Sequence, residues 1–128
     1  MHVHEPSRRA SAEAIGTAAL VATVVGSGIM ATRLSGDVGV QLLINALATV
    51  AALAVLIWAL GPISGAHFNP VVTLVAVVRR EIAVAEAARY VAAQIVGGLA
   101  GTALGNLMFE LPAWHASGKV RATPNLWL

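Results

Sequence analysis

Ile63-Ser64-Gly65-Ala66-His67-Phe68-Asn69-Pro70 leads into the apolar run from Val71 to Val78, which closes on Arg79-Arg80-Glu81. Asparagine is a favoured N-cap and proline a favoured first helical residue, so Asn69-Pro70 starts a helix. The two arginines suit the negative end of its dipole and mark its end after about ten residues. At 1.5 Å per residue the helix is roughly 15 Å long, half the hydrocarbon thickness of a bilayer. It is apolar enough to enter a membrane and too short to cross one, which predicts a re-entrant half-helix. The loop before it is tolerated at that depth only where it lines a polar cavity.

Working outward, three stretches reach the roughly 20 apolar residues that a span requires. One runs from about Ser11 to Thr32 and ends in Arg33-Leu34-Ser35-Gly36-Asp37; a second runs from about Val38 to Leu60; the third runs from about Val84 to Phe109 and ends at Glu110-Leu111-Pro112. Gly61-Pro62 reads as the stop of the second, because proline lacks a donor and clashes with the preceding turn. Arg8 and Arg9 before an apolar run imitate a signal peptide, but the run is long and further spans follow, so a retained first helix is expected. The expected fold is all-α and membrane-embedded, with three transmembrane helices and one re-entrant half-helix. Residues 1–10 form a cytoplasmic segment, 11–110 the membrane domain and 111–128 a polar tail carrying Trp114 and Trp127, of which Trp114 suits the membrane interface.

Composition agrees. Of 128 residues, 58% are hydrophobic and only 11% charged, with a mean hydropathy of +0.79, beyond what a soluble domain ordinarily carries. The isoelectric point near 9.9 reflects a formal charge of only +2. No basic stripe interleaved with aromatics exists to bind nucleic acid, so the bilayer is the expected partner. With no cysteine in the sequence, disulfides, thiolate metal sites and thiol nucleophiles are excluded. The four histidines are scattered and no acid or base has a nucleophile beside it, so no enzyme activity, metal or cofactor is expected. Arg8, Arg9, Arg79, Arg80 and Arg89 fall on one side of the predicted topology, and Arg33, Lys119 and Arg121 on the other. The positive-inside rule then predicts a cytoplasmic amino terminus and an external carboxyl terminus in a plasma or inner membrane.

The string Ser64-Gly65-Ala66-His67-Phe68-Asn69-Pro70-Val71-Val72-Thr73-Leu74 closely resembles the first signature loop of the major intrinsic proteins, the aquaporins and glycerol facilitators. Ala12-Glu13-Ala14-Ile15-Gly16-Thr17 resembles that family's first helix, and Tyr90-Val91-Ala92-Ala93-Gln94-Ile95-Val96-Gly97-Gly98 its third. Three blocks in family order, from about Ser11 to Met108, make the resemblance specific. Val71 departs from it, standing where the family usually has alanine and adding bulk beside the midplane constriction. The family is built from two inverted repeats, and the sequence supplies one, without a second Asn-Pro half-helix or the arginine of the outer filter.

The resemblance implies roles that compete with plainer ones. Asn69, capping the half-helix begun by Pro70, would present its amide to a permeating oxygen while the helix's positive end repels cations; the plain alternative is a cap alone. Gly65, Ala66 and His67 would offer backbone carbonyls to the same solute, whereas the His67 side chain more often serves packing. Thr49 falls where water-selective members carry a bulky aromatic, which implies a wider mouth, and the alternative is a hydroxyl bonded to its own preceding turn. Glu13, an ionisable group inside the first span, would hold donors of the other repeat's signature loop, or else be a protonated carboxyl at the membrane edge. Gln94 would bond loop backbone or a neighbouring helix. Gly97, Gly101 and Gly105 recur at the four-residue spacing that lets helices approach closely in lipid.

The expected function is therefore that of a half-channel for passive passage of water or small neutral solutes such as glycerol or arsenite, completed by a second half-channel or an inverted copy within a larger oligomer. The alternative is a truncated, non-conducting remnant or assembly partner. Alone, its loop carbonyls and Glu13 are expected to face lipid unless covered, so that the isolated chain should associate or be degraded.

Overall fold

The computed structural model describes residues 5–115. Four helices follow one another: α1 (Pro6–Leu34), α2 (Val38–Ser64), α3 (Pro70–Val78) and α4 (Val84–Leu107). No strand occurs among the described residues. Lys119, Arg121 and Trp127 lie outside them, as does most of the expected tail. Helices α1 and α2 are long and apolar enough to cross a membrane. Helix α4, with 24 residues, is of comparable length but is diluted by Glu86, Arg89, Gln94 and Asn106.

Two boundaries differ from expectation. Helix α1 begins five residues before the apolar run, with Pro6 in its first turn and the Arg9 amide already donating to the Glu5 carbonyl. Hydropathy marks only the apolar part of the helix, which extends through the polar residues Ser7, Arg8 and Arg9 before it. Helix α2 runs through Gly61-Pro62 instead of stopping there. Pro62 sits in its last turn, where the one donor it lacks is a local loss. The stop is Gly65, at φ 91°, the left-handed conformation that glycine adopts without steric penalty; its amide closes the helix on the Gly61 carbonyl at 2.9 Å.

Helix α1 is central, packing against both α2 and α4, while α3 lies on α4. The glycine stripe explains the closest approach: a Cβ on Gly97 or Gly101 would overlap the carbonyl oxygens of Ala14 or Ala18, and one on Gly105 would stand 3.0 Å from Val25. Lipid is as apolar as leucine, so such packing, together with interhelical hydrogen bonds, holds the bundle. One such bond joins α2 to α1, where Asn45 Nδ2 donates to the Val24 carbonyl at 2.8 Å and to Ser27 Oγ at 2.9 Å. At the end opposite the amino terminus, Arg33 donates to the Phe109 carbonyl at 2.7 Å.

The distribution of side chains is the reverse of a water-soluble core. The largest fully buried side chains are Tyr90, Gln94, Glu13, Thr73 and Ser64, whereas leucines, valines and isoleucines of all four helices are exposed. A surface of this kind is stable in hydrocarbon, where polar groups must find partners inside the protein.

Candidate functional site

Five buried polar side chains, Glu13, Ser64, Thr73, Tyr90 and Gln94, converge on the loop between α2 and α3. The Asn69 Oδ1 accepts from the Val71 amide at 2.8 Å, which caps α3 as the sequence predicts, with Pro70 in the first turn. The cap occupies the carboxamide oxygen and leaves the Nδ2 donor of this exposed residue without a protein partner among the described residues.

Glu13 anchors the loop. Its Oε1 accepts from Ser64 Oγ at 2.6 Å and the His67 amide at 3.0 Å; its Oε2 accepts from the Phe68 amide at 2.7 Å and Gln94 Nε2 at 2.9 Å. Four donors fill four lone-pair sites, the pattern that an ionised carboxylate satisfies. This corrects the expected partner: Glu13 holds the signature loop of its own repeat. It is also 0% exposed, so it does not face lipid. Glu13 lies near the start of α1 and the loop dips beside it, so the shortest tether is within the repeat.

Gln94 is the second tether, and of the two candidates left open by the sequence it bonds the neighbouring helices, with no bond to loop backbone among the described residues. Its Nε2 reaches the α1 carboxylate and, at 2.9 Å, Thr73 Oγ1 on α3. Orienting the amide by these two acceptors leaves Gln94 Oε1 buried without a partner among the described residues. Thr73 Oγ1 also lies 3.0 Å from His67 Nδ1 and 3.2 Å from the Asn69 carbonyl. The His67 ring is set edge-on against Tyr90 at 5.2 Å between centroids, with its Nδ1 turned to Thr73.

The loop is bent sharply. Ala66 and Phe68 have φ of 53° and 50°, left-handed values that cost a non-glycine residue about 1–2 kcal/mol each. Such strain persists where the surroundings over-determine it. The Phe68 ring fills the notch at Gly16 on α1, where an added Cβ would collide with it. Between Ser64 and Asn69, Gly65 is exposed and Ala66 half-buried.

Thr49 stands apart from this cluster on α2, half-buried, with Oγ1 donating to the Asn45 carbonyl at 2.7 Å. Ser64, Phe68, Thr73 and Tyr90 join the site only in the structure. The available signal was the single face of α4 on which Tyr90, Gln94, Gly97, Gly101 and Gly105 recur: a polar pair continuing a close-packing stripe belongs to the interior.

Comparisons with known proteins place the sequence in a family. A family described as Major intrinsic protein matches residues 2–125. The chain is 51% identical over 128 residues to Aquaglyceroporin AqpS of Rhizobium meliloti, covering 100% of the chain and 55% of the relative. It is 38% identical over 92 residues to Aquaporin A of Dictyostelium discoideum, covering 72% and 33% respectively. Over 59 residues it is 48% identical to human Aquaporin-5, covering 46% and 22%. The chain thus spans about half the length, or less, of these relatives.

Proposed function

The chain belongs to the major intrinsic protein family of integral membrane channels, and from that membership we propose that it forms one wall of a pore for water and small neutral solutes. The observation that carries the proposal is the loop. A half-helix capped by Asn69 leaves the carboxamide donor free, while the neighbouring bend is held by buried partners and leaves Gly65 exposed. The Nδ2 of Asn69 and the carbonyls of Gly65, Ala66 and His67 would replace the hydrogen bonds a solute gives up in leaving water, and the positive end of α3 would oppose cations.

The aquaglyceroporin name of the Rhizobium relative supports glycerol, and by size and neutrality arsenite, among the permeants. Thr49 supports the same assignment: its hydroxyl is engaged by its own helix, and what it contributes at the mouth is small size. One half-helix provides half of the electrostatic barrier of a two-repeat architecture. Conduction is therefore assigned to an assembly with a second half or an inverted copy, in the plasma or inner membrane.

Asn69→Asp tests the pore role separately from the cap, since aspartate caps a helix as well as asparagine but offers no amide donor. In the completed channel the variant should fold normally, pass glycerol roughly tenfold more slowly and admit cations. Unchanged glycerol flux and cation exclusion would reduce Asn69 to a cap.

A further inference from the structure

We infer that Tyr90 is a positioning residue of the pore loop: its hydroxyl locks the Ser64–Gly65 peptide, and thereby sets the direction of the carbonyls that follow. Tyr90 is 1% exposed, and its hydroxyl donates to the Ser64 carbonyl at 2.6 Å. That carbonyl ends α2, where the last turn of any helix leaves acceptors without intrahelical donors.

Ser64 is gripped at both ends. Its Oγ donates to Glu13 on α1 and accepts from the Ala66 amide at 3.1 Å, while its carbonyl is taken by α4. The next residue is Gly65, at φ 91°, and glycine is the residue for which rotation of a peptide plane meets least steric resistance. A loop that begins with so free a joint and continues through strained Ala66 and Phe68 keeps one shape only if that joint is fixed. At the far end Phe68 is fixed by Glu13 and the Gly16 notch. At the near end the Ser64–Gly65 peptide plane is held on both sides, its amide by the Gly61 carbonyl at 2.9 Å and its carbonyl by the Tyr90 hydroxyl, the side chain that reaches it from outside α2.

Tyr90 is in turn held on two sides. The His67 ring meets it edge-on at an interplanar angle of 70°, and the Arg9 guanidinium lies 5.5 Å from its ring centroid while paired with Glu86 one turn earlier on α4. The phenol is thus oriented by α1, the loop and its own helix before it reaches Ser64.

The consequence for permeation rests on the channel function proposed above; the lock itself does not. Tyr90→Phe removes the hydroxyl and keeps the ring. In the full chain in micelles, the amides of Ala66, His67 and Phe68 should exchange with deuterium about tenfold faster, the factor corresponding to one orphaned buried carbonyl, while protection along α1 and α4 is preserved. Loop amides that exchange as in the wild type, or acceleration spread evenly over the helices, would overturn the inference. A second measurement needs no variant: isotope-edited infrared spectroscopy of a labelled Ser64 carbonyl should find it absorbing below an unbonded carbonyl, and an unbonded frequency would also overturn it. In the completed channel Tyr90→Phe should slow water and glycerol together, and unaltered flux of both would refute the positioning role. A wild-type assembly that conducts nothing, with loop exchange accelerated in the variant, would instead count against the channel and leave the lock standing.

Discussion

The Glu13 carboxylate accepts a hydrogen bond from the Phe68 amide at 2.7 Å across 55 residues of sequence, and the ring of the same Phe68 fills the notch at Gly16, one turn further along α1. One helical turn therefore fixes both the backbone and the side chain of the residue preceding Asn69. The aim of the half-helix depends on this double attachment.

Glu13→Gln follows directly. A carboxamide presents hydrogens where the site already supplies donors, so at least one of Ser64, His67, Phe68 and Gln94 loses its acceptor. The expected loss is about 3 kcal/mol, visible as a lower melting temperature in detergent and faster exchange of the loop amides. Equal stability of the two proteins would contradict the four-donor arrangement.

The glycine stripe gives a paired comparison. Gly97→Ala forces a Cβ against the Ala14 carbonyl, which cannot swing aside as a flexible side chain would, whereas a Cβ on the adjacent Gly98 stands 3.9 Å from Thr17 Cγ2 in ordinary contact. Gly97→Ala should cost about 2 kcal/mol or more. Gly98→Ala should be near neutral, and the yield of folded protein and its thermal midpoint in detergent report both.

Selectivity is expected to follow the size of residue 49. In the completed channel Thr49→Phe should reduce glycerol and arsenite uptake several-fold more than water flux. Proportionate loss of all three would assign Thr49 to helix packing through its bond to Asn45.

Orientation is testable without background because the sequence contains no cysteine. Single cysteines at Ser7, Ser35 and Ser117 should react with an impermeant reagent in intact cells at the last two positions only. Labelling at Ser7 alone would invert the assignment, and labelling at all three would show two orientations.

The elements that were legible in the sequence are those with a local signature. Asn69-Pro70 gave the start of α3 because capping is decided within a few residues, and the apolar runs gave α1, α2 and α4 because a span is a matter of length. The partners of Glu13 were not legible. Its bonds reach Ser64, His67, Phe68 and Gln94, and contacts separated by 51 to 81 residues leave no periodic trace. Thr73 was hidden for a related reason: a threonine among valines on a short apolar helix reads as β-branched filler, and only the arrival of Gln94 from α4 makes its hydroxyl a junction. Pro62 does not stop α2 because its missing donor and its clash with the preceding turn disrupt a helix interior, whereas it stands within one turn of the helix end.

The anchoring of the loop also has a consequence in time. The side chains that fix the bend, from Glu13 through Ser64 and Thr73 to Tyr90 and Gln94, belong to one uninterrupted stretch of the chain between residues 13 and 94. On a ribosome, which delivers amino-terminal segments first, the last of these tethers emerges as α4 is being made. The bend can then set during synthesis, using only segments already made, so the shape of the loop requires nothing of the chain that follows α4.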